Sequence, residues 1–154
     1  MNKGLVRYMK EKKGFTLIEL MIVVLIIGII AGLSMPNLVK SKMAAHEASA
    51  ISAVRSIVTA QITYATTGGS GGDFAADLSA LEARNLIDSV LGSGTAEAYS
   101  FSVSGSGIQY TIDARPLSYG SSGTRSFFAD ASGVIRYTTA DAAATASDPG
   151  LGGQ

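Results

Sequence analysis

The stretch that decides the fold is residues 12–36, which read KKGFTLIELMIVVLIIGIIAGLSMP. Two lysines and a glycine stand directly before a hydrophobic run, and Glu19, the fifth residue of that run, is a carboxylate without an oppositely charged neighbour. A charged side chain at the centre of a membrane helix costs roughly 2.5–3.5 kcal/mol on insertion scales, so an acid in such a run points to a function and a partner. We expect that partner to lie in another molecule.

The length of the hydrophobic run decides what it can be. At about 1.5 Å per residue, residues 15–35 make a helix of roughly 31 Å, close to the hydrocarbon thickness of a bilayer. The preceding residues 1–14 carry five bases and one acid, which predicts a cytoplasmic N-terminus by the positive-inside rule. Everything after Pro36 is then expected on the outer side. A cleaved secretory signal and an uncleaved signal anchor are the alternatives, and Glu19 interrupts the apolar core that a secretory signal requires.

The motif Gly14-Phe15-Thr16-Leu17-Ile18-Glu19, followed by an apolar helix with Pro36 as the 22nd residue counted from Phe15, resembles the N-terminus of the type IV pilin and type II secretion pseudopilin superfamily. The close resemblance extends from Gly14 to about Ala65. It implies that a prepilin peptidase in the membrane removes the leader, residues 1–14, by cutting after Gly14, and then methylates the new amino terminus of Phe15. It also implies that Thr16 and Glu19 take part in subunit assembly.

Elementary electrostatics gives Glu19 a reason to be there. Cleavage before Phe15 creates an α-amine that is mostly cationic at neutral pH, at a helix N-terminus whose dipole is also positive. Because Glu19 lies four residues further on the same helix face, it can pair with its own amine or with that of an incoming subunit. In an apolar filament core an unpaired charge is unfavourable, so this pair is expected to fix the axial register between subunits.

The membrane segment, residues 15–36, is expected to continue as an amphipathic helix over residues 37–66. The apolar positions change register there but keep spacings of three and four. The predicted apolar face consists of Ala44, Ala48, Ile51, Val54, Val58, Ile62 and Ala65. The glycine-rich residues 68–72 end the helix.

Three residues that weaken a helix stand close together in the second half of the membrane segment. They are Gly28, Gly32 and Pro36. Proline removes a backbone donor and clashes with the preceding turn, so a bend or a melted stretch is expected at this place.

Residues 67–139 are expected to form a globular head. A short helix over residues 76–84, capped by Asp77, comes first. Four strands are then predicted over Tyr99–Val103, Ile108–Ala114, Ser126–Asp130 and Val134–Thr138. The expected fold class is therefore α+β, a long N-terminal helix packed on a small antiparallel sheet of about four strands, as in the type IV pilin fold. Residues 140–154, rich in Ala, Asp and Gly, predict a flexible tail.

Composition excludes several classes of function. Without residues 1–14 the chain has seven bases against eleven acids, so it lacks the basic surface typical of a nucleic-acid-binding protein. Cysteine is absent. Many pilin heads close their C-terminal loop with a disulfide, and here that region must be held by packing alone. His46 is the only histidine, so no histidine-based metal cluster or triad can be assembled, and we expect it to be a solvated helix residue.

Other polar residues give no pattern typical of an enzyme. The spacing of the later aspartates fits no compact calcium loop, and we expect turn formation from them; they are Asp113, Asp130, Asp141 and Asp148. The glycine loop lacks the Lys-Ser/Thr of a phosphate-binding loop. Arg125 and Arg136 fit equally well as contacts between neighbouring heads and as solvated strand charges. We expect no cofactor, no bound metal and no enzymatic activity.

The resemblance to type IV pilins thus implies a structural subunit of a type IV pilus. Before assembly, such a subunit is anchored in the inner membrane with its N-terminus in the cytoplasm. Inner-membrane assembly machinery then polymerises it through the N-terminal helix into an extracellular helical filament that serves adhesion, motility or uptake. Two alternatives stay open, a pseudopilin of a type II secretion system and, from a different class, a monomeric membrane-anchored binding module.

Overall fold

The computed structural model describes residues 14–68 and 72–152. The chain divides into two compact units, one ending at Asn37 and the other beginning at Leu38. The elements in chain order are α1 (Leu17–Thr67), α2 (Leu78–Glu82), α3 (Ser89–Gly92), β1 (Thr95–Ala96), β2 (Tyr99–Ser106), β3 (Gln109–Pro116), β4 (Ser126–Asp130) and β5 (Ile135–Thr138).

The α+β fold class is confirmed, with one strand more than expected. The five strands form an antiparallel meander in the order β1-β2-β3-β4-β5. Its core side packs on the second part of α1, where Val54 and Ile57 are fully buried together with Ile112 and Phe127 of the sheet. The bounds predicted for β4 are those observed, and the bounds predicted for β2, β3 and β5 differ from the observed ones by at most three residues. The extra strand β1 adds only two residues at the edge.

The described part of the first unit consists of residues 14–16 and the start of α1. Within its described part, the side chains whose burial is defined, residues 14–33, are all exposed. The helical assignment continues through Gly28, Gly32 and Pro36, so the structure shows no melted stretch in this region. A kink in an assembled filament stays a prediction.

The buried face of α1 in the second unit differs from the predicted one. Of the seven positions predicted, Val54 is fully buried and Ile51 and Val58 are partly buried against the core, whereas Ala44, Ala48 and Ile62 are exposed. The residues that face the sheet are instead Glu47, Ala50, Val54, Ile57, Ala60 and Gln61. Two of these are polar and form buried hydrogen bonds, so a search for apolar periodicity alone places the face at the wrong angle.

Short caps and one tight turn organise the chain between α1 and β2. Asp77 caps α2 by accepting from the Ala80 N–H at 2.9 Å, as predicted, and Asp88 caps α3 in the same way through Leu91. The β1–β2 hairpin turns at Glu97 and Ala98, whose φ angles are 48° and 65°. Positive φ at both central residues belongs to a type I′ turn, which ordinarily selects Asn and Gly.

Irregular backbone is hydrogen bonded to the part of β2 that extends beyond β1 and to the edge strand β5. On the β2 side, the Gly105 N–H donates to Ala76 O at 2.9 Å. On the β5 side, the Tyr137 N–H donates to Pro149 O at 3.1 Å and the Leu151 N–H donates to Ile135 O at 2.6 Å. Pro149 and Leu151, which belong to the segment 140–154, are therefore hydrogen bonded to β5, and the flexibility that the sequence predicts for this segment stays a prediction. Backbone bonded in this way blocks a ladder that would otherwise pair with another chain.

Candidate functional site

The start of α1 is held by two side chains that bond to each other's backbone. The Glu19 N–H donates to Thr16 Oγ1 at 3.3 Å, and the Thr16 N–H donates to Glu19 Oε2 at 3.4 Å. The Thr16 hydroxyl also donates to Glu19 Oε2, at 3.2 Å. This reciprocal arrangement is a capping box, which satisfies backbone donors that the first helical turn otherwise leaves unpaired.

The capping box gives Glu19 a partner that the sequence analysis missed. Among the described residues no cationic side chain pairs with Glu19, whereas its carboxylate accepts two hydrogen bonds from Thr16. The pattern Thr-x-x-Glu directly before an apolar run is a known sequence signature of this cap. A carboxylate at a helix N-terminus is also favoured by the helix dipole. The bond from Thr16 orients the carboxylate towards the start of the helix, where a new amino terminus would lie.

The junction between Gly14 and Phe15 is open to the surroundings. Both residues are exposed, and Phe15 keeps 81% of its surface. Gly14 lies before the helix, and a Cβ added there would meet no atom within 4 Å. Within the described residues, nothing therefore covers the peptide bond that a prepilin peptidase would cut.

The apolar surface of residues 20–33, beyond the capping box, is exposed in the described part of the chain. The described helix is long and apolar enough to cross a membrane by length and composition, and none of its most apolar window is buried. Gly28 and Gly32 also have free space around them, with nothing within 4 Å of an added Cβ. A surface of this kind requires lipid or other helices around it.

The later aspartates take part mainly in local structure. Asp130 accepts from the Ser132 N–H at 2.9 Å, and Asp148 accepts from the Thr145 N–H at 2.7 Å, so both shape turns. Asp141 forms an exposed ion pair with Arg115 at 3.8 Å. Burial raises the pKa of Asp113, and Arg115 opposes the shift. Over residues 14–68 and 72–152, no group of three or more His, Asp or Glu side chains has the geometry to hold a metal ion.

The two arginines and the histidine have surroundings that differ from their expected ones. Arg125 Nε donates to Glu47 Oε2 at 2.7 Å, and Arg136 Nη1 donates to the Asp148 carbonyl at 3.0 Å. Both arginines thus have partners within the chain. His46 is half-buried rather than fully solvated. Whether either arginine also contacts a neighbouring head stays a prediction.

Comparison with known proteins gives one family match and several relatives. Residues 9–35 match the family described as the prokaryotic N-terminal methylation motif. The type IV major pilin protein PilA of Myxococcus xanthus is 38% identical over 72 residues, 47% of this chain and 33% of that protein. The type II secretion system core protein G of Escherichia coli is 39% identical over 54 residues, 35% of this chain and 37% of that protein.

A second core protein G, from Pectobacterium carotovorum, is 40% identical over 54 residues, 35% of each chain. The chain thus spans about a third of the length of the curated relatives it matches. No solved structure matches. The chain thus carries the prokaryotic N-terminal methylation motif and is similar over part of its length to a type IV major pilin and to type II secretion core proteins G, and its long helix packed on an antiparallel sheet is consistent with the pilin fold.

Proposed function

We propose that this chain is a structural subunit of a type IV pilus. A prepilin peptidase removes residues 1–14, the amino terminus of Phe15 is methylated, and the subunit waits in the inner membrane with its N-terminal side in the cytoplasm. Assembly machinery in that membrane then transfers it into an extracellular filament, a helical homo-oligomer whose core is made of N-terminal helices.

The observation that carries this proposal is the uncovered apolar part of α1. Residues 14–33 are exposed along their whole length. Burial of apolar surface contributes about 25 cal/mol per Å², so leaving such a helix in water is strongly unfavourable. A bilayer covers it before assembly, and the matching helices of other subunits cover it afterwards. In the described part of the head, by contrast, irregular backbone is hydrogen bonded to β5 and to the end of β2, which leaves less free strand for polymerisation by edge pairing.

In the proposed function, Glu19 has one role in the membrane and another in the filament. In the membrane, its bonds to Thr16 reduce the number of unsatisfied polar groups at the helix start. In the filament, the same carboxylate neutralises an amino terminus, its own or that of a neighbouring subunit. The capping box does not involve residues 1–14, so removal of the leader leaves it intact.

A pseudopilin of a type II secretion system is the second candidate. Its support is the similarity to two core proteins G, each over 54 residues. The match to the major pilin is longer, 72 residues, and extends into the head. We therefore favour the pilus.

Deletion of the gene and analysis of the cell surface separate these candidates. A pilus subunit predicts that sheared surface filaments contain the chain and disappear from the deletion strain, while protein secretion continues. A secretion pseudopilin predicts loss of secreted proteins with surface filaments unchanged. A monomeric anchored module predicts that the chain stays in the membrane fraction and is missing from sheared material.

A further inference from the structure

A buried glutamate fastens the loop between β3 and β4 to α1. Glu47 lies on the sheet-facing side of α1 and keeps only 6% of its surface exposed. Its Oε1 accepts from the Thr124 N–H at 2.7 Å and from the Thr124 hydroxyl at 3.0 Å. Its Oε2 accepts from Arg125 Nε at 2.7 Å. Both carboxylate oxygens are thus bonded to one short segment, 77 and 78 residues away along the chain.

A residue of the sheet contacts the same segment, residues 123–125, from the other side. The Tyr99 hydroxyl of β2 donates to the Arg125 carbonyl at 2.8 Å. Gly123 packs directly on that tyrosine, since an added Cβ there would lie 2.2 Å from its hydroxyl oxygen. Residues 123–125 are therefore held between α1 and β2. The stretch before them, residues 117–121, is exposed.

The charged surroundings of the Glu47 carboxylate are simple. The groups that act on it electrostatically are Arg125 from the loop and Tyr99 from β2. One turn away on α1, in both directions, the neighbours Met43, Ala44, Ala50 and Ile51 carry no charge. Arg125 is itself partly exposed, with 34% of its side chain accessible. Water can therefore solvate its guanidinium when the ion pair with Glu47 breaks.

We propose that Glu47 is an acid-released clasp: as an anion it holds residues 123–125 on α1, and on protonation it releases this segment from α1 while the rest of the head stays folded. A protonated carboxyl loses the ion pair with Arg125, and only one of its oxygens remains a good acceptor for the three donors. The β3–β4 and β2–β3 ladders do not depend on Glu47, so the opening is local. This inference concerns the second unit alone and does not depend on the proposed function.

The direction of the pH effect follows from the bonds. Burial by itself raises the pKa of Glu47, but the hydrogen bonds from Thr124 and Arg125 outweigh it and hold the pKa below the ordinary value of 4.5. The clasp therefore contributes its full stabilisation above pH 4.5 and loses it progressively as the pH falls below that value.

Hydrogen exchange of the full chain in detergent micelles, followed by mass spectrometry, tests the clasp. At pH 7, Glu47→Gln is expected to speed exchange in peptides covering residues 117–125 by roughly tenfold or more, because each hydrogen bond to a charged group contributes at least that factor. Peptides from β2 and β3 are expected to exchange as in the wild type. The wild type itself is expected to show the same loop opening when the pH is lowered below the titration of Glu47, after correction for intrinsic exchange rates.

Glu97→Gln is the matched control, because it removes a carboxylate from an exposed turn of the same head; it should leave exchange in residues 117–125 unchanged. If Glu47→Gln does not fold, the acid titration of the wild type decides alone. Equal protection of the loop in the wild type above and below the titration range would overturn the proposal. So would acid-induced exchange that rises together in the loop and in β2 and β3, since that indicates global unfolding.

Discussion

The side-chain amide of Gln61 forms two hydrogen bonds with the backbone of Ala75. The Ala75 N–H donates to Oε1 at 2.8 Å, and Nε2 donates to the Ala75 carbonyl at 3.1 Å. Both residues have no exposed surface. The pair ties the chain that follows the glycine-rich loop back to the last turns of α1, and it does so without a disulfide.

Gln61→Leu is expected to destabilise the head by about 2–4 kcal/mol, because it leaves a buried N–H and a buried carbonyl of Ala75 without partners. Urea denaturation of the full chain in detergent, followed by circular dichroism, measures the change. Gln109→Leu is the control, since Gln109 is exposed at the start of β3, and it should change stability by less than about 0.5 kcal/mol. Equal stability of the two variants would contradict the role given to Gln61.

The backbone carbonyl of Ala75 also explains why residue 105 in β2 is a glycine. A Cβ added at Gly105 would lie 2.0 Å from the Ala75 oxygen, and that oxygen is fixed by Gln61. Gly105→Ala is therefore expected to destabilise the head by about 1–3 kcal/mol, as overpacking does in a closely packed site. Ser102→Ala, at an exposed position of the same strand, serves as control. A melting temperature equal to that of Ser102→Ala would show that the segment before α2 can shift without cost.

Sequence reasoning predicted the long helix and the last two strands because strong, local patterns mark them. The apolar run ends close to Pro36, and Asp130-Ala-Ser-Gly133 forms the turn between β4 and β5, where the Gly133 N–H donates to Asp130 O at 2.9 Å. The strand β1 escaped prediction because it has two residues and its turn uses Glu97 and Ala98, where a sequence search looks for Asn and Gly.

The buried face of α1 escaped prediction for a different reason. Glu47 and Gln61 belong to that face, but polar residues are buried only when distant partners satisfy them. Glu47 bonds to Thr124 and Arg125, which lie 77 and 78 residues further along the chain. Gln61 bonds to Ala75, which lies 14 residues further along. Only tertiary structure brings these groups together. At the site, the glutamate in the apolar run was recognised from sequence, whereas its cap by Thr16 was not, although the Thr-x-x-Glu spacing is visible there.

Glu19→Gln is expected to separate membrane insertion from assembly. Removing the charge lowers the cost of placing the helix in lipid, so the amount of subunit in the membrane should be unchanged. Filament yield should fall at least tenfold, because the amino terminus loses its anionic partner. Immunoblots of membrane and sheared fractions from a strain without the wild-type subunit measure both quantities. Glu82→Gln, in the head, is the control, and a wild-type yield from Glu19→Gln would defeat the proposed pairing.

In an assembled filament, the helix is expected to lose regular hydrogen bonding somewhere between Gly28 and Pro36, while residues 37–64 stay helical. Pro36 lacks the backbone donor that a continuous ladder needs, and Gly28 and Gly32 lower the cost of leaving the helix. Cryo-electron microscopy of filaments shows the outcome directly. A regular helix through Pro36 in the filament would disprove the expectation, whereas the continuous assignment in the isolated chain does not test it.

The most direct test of the whole account is the intact mass and N-terminal sequence of the chain recovered from sheared cell-surface filaments. The account predicts a subunit that lacks residues 1–14, begins at Phe15 and carries one methyl group on its amino terminus. A surface subunit that still contains Lys13, or one that begins near Met35 after loss of the apolar helix, would contradict it.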